Sequence, residues 1–473
     1  MASAEQNESE SYRVILLGRA GTEVLLVPEG ERYVLPSVEI PRWQRVAENL
    51  TAGFKADWGA VVVCLFELPT ESADCPAITR YQAAEHLCTR SNSKVPTRWI
   101  PISALGRDSS LDTPDYAAIK QVVRVCNGEI NGVGAGPFVR LGWFRELRDW
   151  MESVIEPMGF HTNGQFRQLN ASASFSLVRF ETDGPALWFK AVGEPNQREF
   201  GITRTLARLF PRYLPCVLAT RTEWNGWLTP EAEGEILCDS REHASWQKVA
   251  CDLAELQVDS WQEAQSILAT GARDLRLGSL SRHIQPFVNT AQQIMERQPQ
   301  APPPILGHEQ LLSLADRIRG AIDFLEPLGM PECLGHLDVN PGNVLVSTKG
   351  CIFLDWAEAY VGNPFLTFQY LLEYFRRMGG YDSSRESELV ESYVAPWLQI
   401  LSREVIDAAL AVSPLLAVFA YATATGLLND DERLEDAQFA GCLRSLVRRM
   451  DREARARADG SGECSTEVVV PQM

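Results

Sequence analysis

The stretch CLGHLDVNPGNVLVSTKGCIFLDWAEAYVGNP, residues Cys333 to Pro364, decides how the chain is read. Val344 to Val346 has the pattern of a short strand, Ser347 to Gly350 of a turn, and Cys351 to Leu354 of a returning strand. A hairpin brings its two ends together, so Asn343 before the outgoing strand and Asp355 after the returning one should face each other. One amide oxygen and one carboxylate are what a hard cation such as Mg2+ accepts when nucleotide phosphates supply the remaining ligands. Asp338, earlier on the same loop, is then placed to accept the proton of a reacting hydroxyl. His336 reads as structural, fixing the loop through backbone hydrogen bonds, while Pro341 and Gly342 shape the turn that aims Asn343. A polar loop before a hairpin can be plain architecture, but three acid or amide residues converging on one point argue for a site.

His336, Asp338 and Asn343 stand in the spacing H-x-D-x-x-x-x-N of a kinase catalytic loop. The segment resembles the aminoglycoside phosphotransferase and choline kinase-like family, whose loop reads HGDxHPGN, followed by a strand and IDW. Here the sequence is HLDVNPGN and LDW: Leu337 replaces the small glycine, Asn340 the second histidine, and Gly362, Asn363 and Pro364 the downstream G-D-P.

The resemblance runs from about Gly159 to about Arg449 and implies an α+β, two-lobed protein-kinase-like fold with a β-rich N-lobe and a helical C-lobe. It implies ATP and Mg2+ as cofactors, transfer of the γ-phosphoryl group to a hydroxyl of a small-molecule acceptor, Asp338 as catalytic residue, and Asn343 and Asp355 at the metal. Lys190 in ALWFKAV matches the family's phosphate-binding lysine, and pairing with Glu199 on the following helix would offset its burial. Ser172 and Ser174, in the small-residue turn LNASASFS, would cover the phosphates, and Trp227 to Glu233 would join the lobes. Leu337 and the glycine-poor turn leave a second reading open, a pseudokinase-type nucleotide-binding or scaffolding protein without turnover.

Ahead of this lies Leu35 to Gly59, which resembles the strand, loop and helix of the Nudix family. Registered on Gly59, that family's metal-binding R-E-x-x-E-E signature falls on Ala52, Gly53, Ala56 and Asp57, and one aspartate cannot hold the cations that pyrophosphate cleavage needs. The expectation is an N-terminal Nudix-like α/β domain without Nudix hydrolysis.

The 473 residues suggest several domains. The expected division is a disordered 1–11, the Nudix-like domain at 12–135, a linker helix within 136–158, the N-lobe at 159–235, the C-lobe at 236–450 and a disordered tail at 451–473. The four glycines between Asn127 and Pro137 mark the expected boundary between the halves. A formal net charge of −18 opposes attraction to phosphate backbones and anionic membrane surfaces, so neither nucleic acid nor membrane is expected as a partner. Eleven scattered cysteines without a C-x-x-C pair and a polar, acidic start suggest a reducing, cytoplasmic setting. Ala408 to Leu428 is uncharged and long enough to span a bilayer, yet its Ser, Pro, Thr and Gly suit a helix buried in a large lobe better. Oligomeric state and acceptor identity carry no signature here.

Overall fold

In the computed structural model, the described residues are 9–18, 20–68, 80–87, 95–106, 111–129, 136–379, 382–424 and 434–459. They form a mixed α+β protein whose chain packs as two compact units. The first comprises Met1–Phe200 with Cys216–Glu231, the second Gly201–Pro215 with Ala232–Met473.

The first unit begins with strands β1 (Ser9–Leu17), β2 (Glu23–Glu29), β3 (Arg32–Val34) and β4 (Ser37–Pro41), then helix α1 (Val46–Asp57). Strands β5 (Val62–Leu68), β6 (Arg80–His86) and β7 (Arg98–Pro101) and helix α2 (Thr113–Cys126) follow. These strands make one seven-stranded sheet, with the path β3-β2-β1-β6-β5, β4 on β1 and β7 on β2. Alternation along β1 sends Val14 and Leu16 to the α1 face, with Leu50 and Phe54, and Ile15 and Leu17 to the opposite face, with Ile119 and Val122 of α2. Gly59, at φ 61°, takes the left-handed position that ends α1.

Helix α3 (Trp143–Ile155) leads into a second, antiparallel sheet. It is built from β8 (Thr162–Ala171), β9 (Ser176–Thr182), β10 (Leu187–Ala191), β11 (Ala219–Arg221) and β12 (Gly226–Pro230) in the order β11-β12-β10-β9-β8. Trp143, Phe144, Leu147, Met151 and Ile155 line one stripe of α3 and join a core that includes Ile15 and Leu65 of the first sheet and Val178, Phe180 and Phe189 of the second.

The expected boundary is therefore corrected. The glycine-rich segment does not separate two compact bodies, because the residues on either side of it share one apolar core. Gly132 and Gly134 lie outside the described residues. Two termini are also corrected where described: residues 9–11 belong to β1, and 451–459 continue a helix; 1–8 and 460–473 lie outside the described residues. Arg80 to His86 is β6, parallel to β1 inside the sheet. Its sequence RYQAAEH hides this because Gln82, Glu85 and His86 are buried polar residues in a strand without β-branched side chains. Glu85 is satisfied by the Gly142 N–H at 2.9 Å, at the start of α3.

Helix α4 (Arg198–Leu209) begins in the first unit and continues into the second. The final crossing, between Glu231 and Ala232, lies in the segment expected as the connector. The second unit contains β13 (Glu235–Ile236), α5 (His243–Ser260), α6 (Ala264–Leu268), β14 (Arg273–Leu275), α7 (Leu277–Arg282), α8 (Ile284–Glu296) and α9 (His308–Leu325). Next come β15 (Cys333–His336), β16 (Val344–Ser347), β17 (Gly350–Phe353) and β18 (Ala359–Gly362), then α10 (Phe365–Gly379), α11 (Ser383–Trp397), α12 (Arg403–Ala424) and α13 (Ala437–Asp459). Two small sheets, β13-β16-β17 and β14-β18-β15, carry the loops of interest on a helical core. Helix α12 is long and apolar enough to cross a membrane by length and composition, and its residues from Leu415 to Ala420 are buried among the other helices.

Candidate functional site

The β16–β17 hairpin pairs Val344 with Phe353 and Ser347 with Gly350, and the Leu354 N–H donates to the Asn343 carbonyl at 2.8 Å. The ladder thus runs one pair beyond the strands, with Leu354 opposite Asn343 and Asp355 next along the chain. Asp355 sits at φ 61°, ψ 65°, a left-handed conformation that costs a side chain energy and that aspartate tolerates better than most residues.

Asp338 is held on both carboxylate oxygens. Asn340 Nδ2 donates to Oδ1 at 2.9 Å, and Asn343 Nδ2 donates to Oδ2 at 3.2 Å and to the Asp338 carbonyl at 3.1 Å. Burial pushes the Asp338 carboxyl above its ordinary value; Asp355 adds to the rise, while the amides of Asn340 and Asn343 oppose it. These geometries bring Asp338, Asn343 and Asp355 together at the open end of one hairpin.

His336 ties that end together. The Asp338 N–H donates to His336 Nδ1 at 3.1 Å, which leaves Nε2–H to donate to the Leu354 carbonyl at 3.0 Å. One buried imidazole therefore spans the loop residue Asp338 and the residue preceding Asp355, with its ring 4.7 Å from that of Trp356.

The donor set suits a divalent cation. Asn343 Nδ2 is committed to Asp338, so Oδ1 is its remaining metal-binding atom, and Asp355 supplies a carboxylate. The mutual repulsion of Asp338 and Asp355 is what such a cation would relieve.

In the first unit, Lys190 lies on β10, flanked by β9 and β12, opposite Leu177 and Trp227. Its Nζ donates to Glu199 Oε1 at 2.6 Å, and the Glu199 side chain is only 2% exposed. The ammonium also lies 5.8 Å from the Trp227 ring centroid. Ser172 Oγ accepts the Phe175 N–H at 3.1 Å, and the Ser172 N–H donates to the Phe175 carbonyl at 2.8 Å, closing a tight turn between β8 and β9. Ser174 stands at the tip, against Gly193, two residues beyond β10. Asp57 is exposed on α1, and among the described residues no group of three or more His, Cys, Asp or Glu side chains is placed to hold a metal.

The departures from the family loop acquire a physical reading. Leu337 is 3% exposed and belongs to the core of the second unit, so its bulk is taken up by packing. Asn340 replaces a histidine yet donates to Asp338 and accepts the Gly342 N–H at 2.9 Å, a role that residue type alone did not reveal. Two further supports come from distant sequence: buried Asp252 of α5 accepts the Cys351 N–H at 2.8 Å, and the Tyr213 carbonyl accepts the Phe353 N–H at 2.8 Å.

Residues 274–382 match the phosphotransferase enzyme family (APH). Among solved structures, the chain is similar to the macrolide 2'-phosphotransferase MphH from Brachybacterium faecium, with 16% identity over 64% of this chain and 98% of that one and a TM-score of 0.41. It is similar to the choline kinase LicA from Streptococcus pneumoniae, with 13% identity over 66% and 99% and a TM-score of 0.42. A third is the ethanolamine kinase of Plasmodium vivax, with 10% identity over 72% and 94% and a TM-score of 0.43. No curated protein matches the chain.

Proposed function

We propose that this protein is a small-molecule kinase of protein-kinase-like fold, transferring the γ-phosphoryl group of ATP to an acceptor hydroxyl. The observation that carries the reading is the convergence of Asp338, Asn343 and Asp355 at the open end of the β16–β17 hairpin. The family match of residues 274–382 supports it.

In this reading Asp338 orients the acceptor hydroxyl and takes its proton as the oxygen bonds to the γ-phosphorus and the bond to the ADP oxygen breaks. Its two amide donors keep the carboxylate fixed, so little reorganisation accompanies the transfer. Asn343 Oδ1 and the Asp355 carboxylate would hold Mg2+, which when bound neutralises charge on the phosphates. Lys190, oriented by Glu199, serves the nucleotide phosphates. The acceptor is a small molecule, with neither nucleic acid nor membrane as partner, in the cytoplasm. The N-terminal domain has a Nudix-like fold without hydrolytic function.

ATP consumption with Mg2+ across a panel of hydroxylated metabolites tests this. Asp338→Ala should abolish turnover while leaving nucleotide binding largely intact. Turnover in that variant equal to wild type rejects the assignment, and tight ATP binding with silence across the panel favours the scaffolding alternative.

A further inference from the structure

The domain ahead of the kinase-like part has no role in the chemistry just proposed, yet it grips one element of it. Three contacts, all within the first unit, converge on the β8–β9 ribbon. The first is at the shaft. Gln168 is fully buried, and its amide acts as a surrogate peptide: Oε1 accepts the Cys64 N–H at 2.7 Å and Nε2 donates to the Cys64 carbonyl at 3.0 Å. β5 is the edge of the seven-stranded sheet and β8 the edge of the five-stranded one, so this side chain satisfies an edge that would otherwise bury unpaired backbone groups. Both ladders depart from regular register there, β5 between Cys64 and Glu67 and β8 between Gln168 and Asn170.

The second contact is a surface. Helix α1 lies along β8, Ala171 packs with the α1 core, and Arg167 pairs with Glu48. The third is at the tip. The Phe138 N–H donates to the Ala173 carbonyl at 3.2 Å, and a Cβ on Gly136 would fall 1.9 Å from that same oxygen. A Cβ on Gly193 would likewise meet the Ser174 side chain at 2.3 Å. Gly136 is extended, at φ −153° and ψ 161°, so it is glycine for reasons of space and not of backbone conformation. The turn Ser172–Phe175 thus packs against two backbone segments, at Gly136 and at Gly193, that admit no side chain there.

We propose that the N-terminal domain is a clamp on this ribbon, holding the Ser172–Phe175 turn in its nucleotide-binding shape, with Gly136 and Gln168 as positioning residues that touch no ligand. The proposal rests on the kinase reading, in which this turn covers the phosphates. A turn ordered in advance spares the nucleotide the entropy of ordering it. The clamp therefore does for affinity what a glycine-rich loop must otherwise do by closing on its ligand.

The test uses the full chain with Gly136→Ala at the tip of the ribbon and Gln168→Leu on its shaft. Hydrogen exchange at Ala173 and Ser174 is read without nucleotide, affinity for an ATP analogue with Mg2+ by calorimetry, and folding by thermal melting. Expected are exchange on the order of tenfold faster at the turn and binding on the order of tenfold weaker. Should Gln168→Leu fail to fold, Gly136→Ala carries the test, since its added methyl lies at a contact of the turn and not inside a ladder. Unchanged exchange in the folded variants overturns the clamp, and faster exchange with unchanged affinity overturns its service to the nucleotide. A wild-type chain that binds no nucleotide overturns the kinase reading and this proposal with it, a result told apart because the exchange measurement needs no ligand.

Discussion

Replacing Lys190 by methionine should destabilise the first unit far more than neutralising its partner does. The Lys190 and Glu199 side chains are 16% and 2% exposed, with nitrogen and oxygen 2.6 Å apart. Removing the cation takes the ammonium away from a carboxylate that water reaches poorly, and losing one partner of a buried pair costs about 3–5 kcal/mol. The partial exposure of Lys190 places the expectation near the lower end, about 3 kcal/mol. Glu199→Gln leaves behind an ammonium on a flexible stem that can turn toward solvent, at a cost of about 1–2 kcal/mol. The double change Lys190→Met with Glu199→Leu removes both charges and should recover most of the loss, giving a coupling energy of about 2 kcal/mol. At roughly 2–4 °C per kcal/mol for a unit of 150–250 residues, Lys190→Met should melt about 6–12 °C lower. Urea unfolding followed through the buried Trp224 and Trp227 reads the same quantity. A cost below about 1 kcal/mol for Lys190→Met, or one no larger than that of Glu199→Gln, would refute the reasoning.

Three further outcomes are expected. Because the folded Asp338 carboxyl is raised above its unfolded value, the stability it lends is full below the unfolded pKa and is lost as pH rises through the folded one. The stability of Asp338→Asn relative to wild type, measured with chelator present, should therefore increase from acid toward neutral pH; a flat or falling difference contradicts the assigned burial. Asp252→Ala strands the buried Cys351 N–H and should cost about 1–3 kcal/mol in urea unfolding, with Asp252→Asn milder because it keeps an acceptor oxygen. Leu337→Ala should cost about 2–5 kcal/mol by the same measurement, as for a core leucine, and a surface-like value would contradict its place in the core.

What could be read from the sequence was what neighbouring residues decide among themselves. The hairpin from Val344 to Phe353 and the residues at its ends follow from strand patterns and one turn, all within about 20 positions, and Lys190 with Glu199 spans one strand and the next helix. The rest depends on partners that no local pattern announces. Gln168 meets Cys64 across 104 positions, and Asp252 meets Cys351 across 99. β6 escaped notice because its buried Gln82 and Glu85 look like surface residues until their surroundings are known. The glycine run suggested a break in the chain for a sound local reason, but Gly136 is small because Ala173 presses against it.

The apolar core common to both sheets of the first unit has an implication for modular design. Val178, Phe180, Leu187, Phe189 and Trp224 are covered by α3 and by residues from the first sheet, so a fragment begun at Gly159 would present them to water as a sticky face. Such truncations should aggregate. The leading hundred-odd residues are accordingly inseparable cargo, gained or lost with the ribbon they cover, and not an appendage that could be trimmed for expression or exchanged between relatives.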